Sequence, residues 1–357
     1  MHHTHHLLAL ALLAAASAPA QAQSSVTLNG VADLAVRQVS NQGKEAEKSL
    51  ISGGNSTSRL VFRGLEDLGG GLSAGFHLEH GMAMNNGTPT GGFWDRRATL
   101  SLVSKSLGEL RLGRDFVPTY LNWSRYDPFA YVGVAGSTGF FSGTPTGPVR
   151  SSFGSNANTT VRASNAVMVF LPAGLAGLEG GAMVAAREGG TAATGQGKSM
   201  GLRLGWSNGP VGISVARMRT ENNLTTVGTF NDTALGGHLH FSAVQLSAVW
   251  RKLAQNVSSQ THLLLAAVVP VGAGQVKLSW HRSDMAGKVG ATVIDANDST
   301  RIGLGYVHNL SRRTALYATL ARVDNDGNAA FAVPGGAAGM AGGGKSSGYE
   351  AGIRHNF

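Results

Sequence analysis

The stretch GMAGGGKS, residues 339–346, fits the pattern G-x-x-x-x-G-K-[ST], whose backbone N–H groups bind nucleotide phosphates. A loop of this kind needs a strand before it and a helix after it. Only eleven residues follow Ser346, and they alternate between two faces with a period of two, which indicates a strand. The context therefore predicts a glycine-rich loop before a closing strand, with Lys345 as a solvated charge, and no nucleotide site.

Two further groups carry residue types used in catalysis or metal binding. The segment SWHRSD holds Ser279, His281 and Asp284, the types found in nucleophilic triads. A catalytic set also needs a third group that orients the histidine, and the spacing of residues along a strand does not supply one here. We therefore expect no enzyme activity. His238 and His240 share one strand face and could ligate a metal, but no third ligand stands nearby in the sequence. We interpret them as lining residues and expect no cofactor.

The first 22 residues have the features of a secretory signal. They contain no Lys, Arg, Asp or Glu, and MHHTHH is followed by an apolar run at 7–16 and by SAPAQA. Small residues after such a run form a cleavage site, so cleavage after Ala22 would leave 23–357 as the mature domain. A mature chain without Cys and with a net charge of +9 is either a soluble exported protein or an outer-membrane β-barrel.

One unit recurs along the mature chain: two alternating strands joined by a very short turn. Gly, Pro, Asn and Asp at these turns supply the backbone angles that tight turns need. Seven hairpins, an opening strand and a closing strand give sixteen strands, separated by long polar segments. This predicts an all-β, antiparallel transmembrane barrel with short turns at one end and long loops at the other. The turns lie at 67–71, 107–108, 172–174, 208–210, 242–243, 270–274 and 309–313.

The two faces of each strand differ in polarity. Leu60 and Phe62 point to one face while Arg59 and Arg63 point to the other, and Lys277 alternates with apolar neighbours in the same way. Sixteen strands in one barrel would enclose an interior too wide for side chains to fill. We therefore expect the apolar face to contact lipid and the charged face to line water.

The segment 115–161 is the longest interval between hairpins. Loops of this length are uncommon unless they are functional, and this one carries seven aromatic residues between Tyr120 and Phe141. Because so many aromatic side chains disfavour free exposure, we expect a third loop folded into the lumen that narrows the channel. The alternative is a surface loop or a subunit contact.

The chain resembles a general porin of the Gram-negative trimeric type from β-proteobacteria, and it is most similar to the anion-selective members of that family. The stretches that match are SSVTLNGVADLAV, SRLVFRGLEDLGGGLSAGFHLE, RRATLSLVSKSLGELRLGRDFVPT, YDPF, GYVHNLSRRTALYATLA and GIRHNF. The resemblance implies a homotrimer in the outer membrane, contacts with its lipids and lipopolysaccharide, and passive diffusion of small anions and hydrophilic solutes. It also implies that Phe357 is the signal read by the barrel-assembly machinery.

The resemblance further implies a basic constriction formed by Arg59, Arg96 and Arg162. Asp95 departs from the related proteins, which often have a basic residue there, and it could weaken anion preference or pair with Arg97. Further lumen or rim candidates are Arg37, Arg63, Arg97, Arg114 and Lys277, and the acidic candidates on the opposite side are Glu79, Asp115 and Asp127.

Three other classes of protein remain open at this stage. A net charge of +9 is compatible with nucleic-acid binding, but no helix, repeat or aromatic-basic module supports that, and we expect no such partner. A glycine-rich adhesin or soluble β-sandwich is the structural rival. A substrate-specific channel for sugars, phosphate or organic acids is the functional rival.

Overall fold

The computed structural model describes residues 25–141, 147–154, 160–189, 196–221 and 228–357. Sixteen long antiparallel strands form one sheet, which closes where the first and last strands pair from Val31↔Asn356 to Asn41↔Ser346. The sequence prediction of a sixteen-stranded barrel is confirmed. The long strands are β1 (Ser25–Asn41), β3 (Arg59–Gly69), β4 (Leu72–Ala83), β6 (Arg97–Ser104), β7 (Gly108–Phe116), β8 (Arg162–Phe170), β9 (Leu178–Ala185), β10 (Lys198–Asn208), β11 (Val211–Glu221), β12 (Phe230–Phe241), β13 (Val244–Gln255), β14 (Ser258–Val271), β15 (Gly274–Val289), β17 (Ser299–Asn309), β18 (Thr314–Asn325) and β19 (Lys345–Asn356).

Three short strands complete the described sheet: β2 (Glu47–Ser52), β5 (Thr88–Pro89) and β16 (Thr292–Val293). β2 and β3 pair with different halves of β1, and the chain between them is held by the buried carboxylate of Asp33. This carboxylate accepts hydrogen bonds from the backbone N–H groups of Gly54, Asn55 and Ser56 and from the Tyr317 hydroxyl. The chain between β2 and β3, residues 53–58, is therefore held in a fixed position in the barrel wall beside Arg59.

Each of the seven predicted hairpin turns coincides with a connection between two paired strands, although the outermost residues of several predicted turns belong to the strands themselves. Two details differ from the expectation. β13 and β14 are joined by residues 256–257 alone, although this connection lies at the end of the barrel with the long loops. The closing strand begins at Lys345, four residues before Tyr349, because backbone pairing with β18 extends to Asp324↔Lys345.

The outer face of the barrel is apolar and exposed. Leu28, Leu100, Leu202, Ile302 and Leu320 each expose more than half of their surface. A band of this extent on sixteen strands is the lipid-facing surface of a transmembrane barrel. Among the described residues, no helix is both long and apolar enough to cross a bilayer.

The connection between β7 and β8, residues 117–161, folds back inside the barrel. It is called the inner loop below, and it starts two residues later than the sequence suggested, because β7 continues to Phe116. Its described part forms the short helices α1 (Pro118–Ser124), α2 (Thr138–Phe141) and α3 (Pro148–Phe153). Trp123, Tyr126 and Phe141 of this loop are almost fully buried, which confirms the predicted placement in the lumen.

The residues at 339–346 lie between β18 and β19, and Ser346 belongs to β19. A strand therefore follows the glycine-rich stretch in place of the helix that a phosphate loop requires, and Lys345 pairs with Asp324 at 3.6 Å. The prediction of a glycine-rich loop before a closing strand is confirmed, although Lys345 is the first residue of that strand and its exposed ammonium is paired. The predicted secretory signal, residues 1–22, lies outside the described residues.

Candidate functional site

The inner loop is fixed to one side of the lumen by a buried ion pair. The Arg251 guanidinium donates to both carboxylate oxygens of Asp232, at 2.9 and 2.6 Å, and a third nitrogen donates to the Tyr131 hydroxyl at 2.7 Å. The Thr119 hydroxyl donates to the same carboxylate at 2.6 Å. Because Arg251 and Asp232 are 0% and 2% exposed, the pair and the two loop side chains form one desolvated unit.

Other contacts extend this attachment along the wall. The Tyr126 hydroxyl lies 2.6 Å from Ser214 Oγ, and its ring leaves no room for a side chain at Gly236, where a Cβ would meet ring atoms at 2.3 Å. On the far side, the Val134 N–H donates to Glu350 Oε1 at 3.0 Å. Glu350 also pairs with Arg37 at 2.6 Å. The loop therefore contacts the wall at several points, and the free lumen lies on the side of β3 to β8.

Arg59, Arg96 and Arg162 come together on that free side, around Glu79. Arg96 Nε lies 2.5 Å and Arg59 Nε lies 3.6 Å from Glu79 Oε1. Arg162 Nε donates to the Arg96 carbonyl at 2.8 Å, and its guanidinium lies 4.6 Å from the centre of the Phe116 ring. The first two arginines thus share one carboxylate, and no ion pair in the described part of the chain involves Arg162.

Two more arginines add positive charge to this region. Arg114 donates to the Asp95 carbonyl and to Ser164 Oγ, and with Arg96 and Arg162 it lines one cavity. Arg63 is exposed and unpaired within the described residues and adds its charge further along the wall, where it lines a different cavity with Arg97 and Glu109. Four guanidiniums, those of Arg59, Arg96, Arg114 and Arg162, thus stand near the carboxylates of Glu79 and Asp95, and we call these four arginines the basic cluster.

A second charged group lies further along the same wall and is balanced. Arg111 donates to both oxygens of Glu109 at 2.8 Å and to Asp115 at 2.6 Å. Arg97 lies 3.3 Å from Asp115. Two cations and two carboxylates therefore compensate each other here, and Arg97 does not pair with Asp95 as one sequence interpretation suggested. Asp95 instead accepts from the Gly81 N–H and the Thr90 hydroxyl.

The acidic candidates do not form an opposing wall. Glu79 and Asp115 are interleaved with the arginines on the same strands. Asp127 is buried inside the inner loop, where it accepts from the N–H groups of Phe129 and Tyr131 and from the Ser137 hydroxyl. The transverse arrangement expected from the sequence is therefore wrong in this respect, because ion pairing within a wall and loop-backbone hydrogen bonds both stabilise these carboxylates.

The remaining basic candidates lie apart from the cluster. Arg37 is neutralised by Glu350 and also donates to the Pro334 carbonyl. Lys277 lies on the lumen face with its ammonium 5.9 Å from the Phe129 ring centre. Arg354, which the sequence analysis did not single out, points into the lumen from β19 and donates to Asn55.

The inner loop presents neutral groups to the basic cluster. Tyr120 stacks on Phe116 at 4.7 Å between ring centres, next to Arg162. Burial raises the pKa of the Tyr120 hydroxyl, although the positive charges of Arg162 and Arg96 act in the opposite direction. The hydroxyl is therefore protonated at neutral pH, so the loop does not cancel the positive charge of the wall.

The residue types that suggested catalysis are not brought together. Ser279 and His281 are buried on the lumen face, whereas Asp284 lies on the outer face and pairs with Arg282. His238 and His240 share the lumen face with rings 5.0 Å apart. No group of three or more His, Cys, Asp or Glu residues suited to a metal ion occurs in the described ranges.

Sequence reasoning missed Arg111, Arg203, Arg251 and Asp232. Alternation alone places each of them on the lumen face, since Leu110 and Leu112 flank Arg111 and Trp250 precedes Arg251. The partners of Arg203 and of the Arg251–Asp232 pair lie on other strands or on the inner loop, so no local pattern reports those distances, whereas Arg111 pairs with Glu109 and Asp115 of its own strand.

A closed sixteen-stranded barrel with a loop packed inside its charged lumen defines a porin. Residues 9–328 match the family described as Gram-negative porin, and the chain belongs to that family. It is a channel protein of the outer membrane.

Named relatives agree with this assignment. Outer membrane porin protein 32 of Delftia acidovorans is 35% identical over 98% of this chain and 99% of its own length. The solved anion-selective porin from Comamonas acidovorans is 33% identical, has a TM-score of 0.81, and is matched over 94% of this chain and 100% of its own. The trimer form of OmpT from Vibrio cholerae shares the fold, with a TM-score of 0.61 at 12% identity over 94% and 99% of the two chains.

Proposed function

We propose that the basic cluster lines the narrowest part of the channel and makes this porin favour anions. The observation that carries the proposal is the excess of guanidiniums over carboxylates on the free wall, opposite a neutral loop face. Low-dielectric walls focus such a field, so the local anion concentration rises and cations are disfavoured. The solved relative from Comamonas acidovorans, titled an anion-selective porin, supports the same assignment.

Passage in this scheme is passive diffusion. Arg96, Arg114 and Arg162 line an open cavity rather than a closed site, so attraction stays weak enough for release. We infer a conducting role and no catalytic one, since Ser279 and His281 lie on the other face of β15 from Asp284.

The direct test is the reversal potential of the wild-type protein in a planar bilayer with a potassium chloride gradient. We expect a reversal potential of the sign that a channel more permeable to chloride than to potassium produces. A potential of zero or of the cation sign would refute anion preference while leaving the porin assignment intact.

We also propose a homotrimer, as in the solved trimer form of OmpT. Phe93, in the loop between β5 and β6, lies at the edge of the cavity lined by Arg96 and Arg162 and is 74% exposed, which suits a contact with a neighbouring subunit. Changing Phe93 to Ser should lower the temperature at which a detergent-resistant trimer dissociates in electrophoresis. Leu107, 84% exposed in a turn at the opposite end of the barrel, is the control, and Leu107→Ser should leave that temperature unchanged. A wild-type band that runs as a monomer without heating would contradict the trimer.

We propose that Phe357 serves assembly as well as closure. Its backbone exchanges two hydrogen bonds with Gly30, at 3.0 and 3.1 Å, and its ring lies where a Gly30 Cβ would be. One terminal side chain contributes little to the stability of a barrel of this size, so the Phe357→Ser variant should still fold in detergent. If the assembly machinery reads Phe357, the variant should reach the outer membrane in smaller amounts than the wild type. Equal amounts of variant and wild type in outer-membrane fractions would refute the role in assembly.

A further inference from the structure

A cavity of about 260 Å³ lies beneath the inner loop, between α1 and the lumen face of β7 to β10. Its roof includes Pro118 and Leu121 of α1. Its apolar walls are Phe116, Met168, Phe170 and Met183, which is unusual for a surface that faces a water-filled channel. A cavity of about 150 Å³ with apolar walls already holds a benzene molecule, so this one has room for a small ring and a polar substituent.

Charges at one side of the cavity do not cancel. Arg203 lines it and donates to Glu179 Oε1 at 2.7 Å, and Arg125 pairs with the same oxygen. Two guanidiniums therefore share one carboxylate. Arg203 Nε is buried and has no hydrogen-bond partner within the part of the chain that the structure describes. Arg111, on another side, is fully compensated by Glu109 and Asp115.

The cavity lies past the basic cluster, on the side of the short turns. Its lining includes Leu171, in the turn that joins β8 to β9, and Glu109, the second residue of β7. Strands β6 and β7 connect the two regions through Arg97 and Asp115. An anion that has crossed the constriction thus meets this cavity before it leaves the barrel.

We propose that the cavity is a binding subsite for small monoanions with an apolar body, namely aromatic or branched aliphatic carboxylates. The apolar walls take up the body of the solute, and the Arg203 guanidinium, which shares the Glu179 carboxylate with Arg125 and has an Nε–H that is free within the described residues, binds the carboxylate of the solute. Glu109 and Glu179 in the lining disfavour solutes with two negative charges. The inference rests on the proposed anion pathway and adds a substrate class to it.

The test uses 3-phenylpropionate, acetate and the uncharged 3-phenylpropanol, added to the short-turn side of trimers in a planar bilayer that conducts chloride. We expect saturable reduction of the chloride current by 3-phenylpropionate, at least tenfold tighter than by acetate or 3-phenylpropanol, because only the first solute uses both halves of the subsite. Addition from the opposite side should act at higher concentration.

Two variants locate the effect. Arg203→Gln should weaken the block by 3-phenylpropionate about tenfold, the usual size of a lost charge-assisted hydrogen bond. Leu121→Gln should weaken it with little change in the acetate response, since it alters only the apolar roof. Arg217→Gln removes the same charge from the exposed outer face of β11, next to Arg203's strand, and should change nothing.

The outcomes separate the two proposals. Chloride selectivity without any block by 3-phenylpropionate would overturn the subsite alone. Block that Arg203→Gln and Leu121→Gln leave unchanged would place the binding elsewhere and would also overturn it. Loss of chloride selectivity in the wild type would instead refute the proposed function.

Discussion

Replacing Arg162 with glutamine is expected to lower the chloride-to-potassium permeability ratio about two- to fivefold. Arg162 is the member of the predicted arginine trio that no described carboxylate neutralises, and its guanidinium is held over Phe116 beside the open cavity. A unit charge about 4 Å from a permeating ion contributes roughly 1 kcal/mol even at the dielectric constant of bulk water, and salt screening reduces this value. Reversal potentials of single variants in a salt gradient measure the change.

Glu79→Gln is expected to change the chloride-to-potassium permeability ratio in the opposite direction. Glu79 is paired with both Arg59 and Arg96, so its neutralisation should raise the permeability ratio by a similar factor. Arg217→Gln, on the lipid face, is the control and should leave the ratio unchanged. If Glu79→Gln and Arg162→Gln shift the ratio in the same direction, or neither shifts it, the basic cluster does not control selectivity.

Replacing Arg251 with methionine is expected to detach the inner loop and destabilise the protein by about 3–5 kcal/mol. The substitution leaves the Asp232 carboxylate buried with Thr119 as its only described partner and removes the donor to Tyr131. Breaking one half of a buried pair costs this much because an uncompensated charge remains in a desolvated site. Trp123 belongs to the same loop and is 0% exposed, so detachment should appear as a red shift of its fluorescence, together with a lower unfolding midpoint of the protein.

The same variant should alter conduction, since a loosened loop no longer fixes the width of the channel. We expect larger and noisier single-channel currents with weaker selectivity. Arg251→Met combined with Asp232→Leu should recover much of the stability, because no buried charge is left unpaired. Arg322→Met breaks an exposed pair with Asp324 and should cost less than 1 kcal/mol. Wild-type stability and conductance in Arg251→Met would show that the pair does not hold the loop.

The pattern of single strands was sufficient to predict the barrel. Alternation such as that of Leu60 and Phe62 against Arg59 and Arg63, together with sixteen strands and short turns at one end, favoured a closed sheet with lipid outside and water inside over a soluble β-sandwich. Arg59 was placed correctly because the period of two is a local property of the backbone. The aromatic content of the inner loop likewise predicted burial.

The sequence by itself therefore determined the class of fold, the number of strands and the orientation of most charged side chains. Only the tertiary structure decided which charges neutralise each other. Asp127 accepts hydrogen bonds within its own loop. Arg37 pairs with Glu350, which is 313 residues away in the sequence, and Arg251 pairs with Asp232 on the neighbouring strand. Net charge at a point depends on distances of a few ångströms between residues far apart in sequence, and the shape of the cavity under α1 depends on the path of a loop with no repeating pattern.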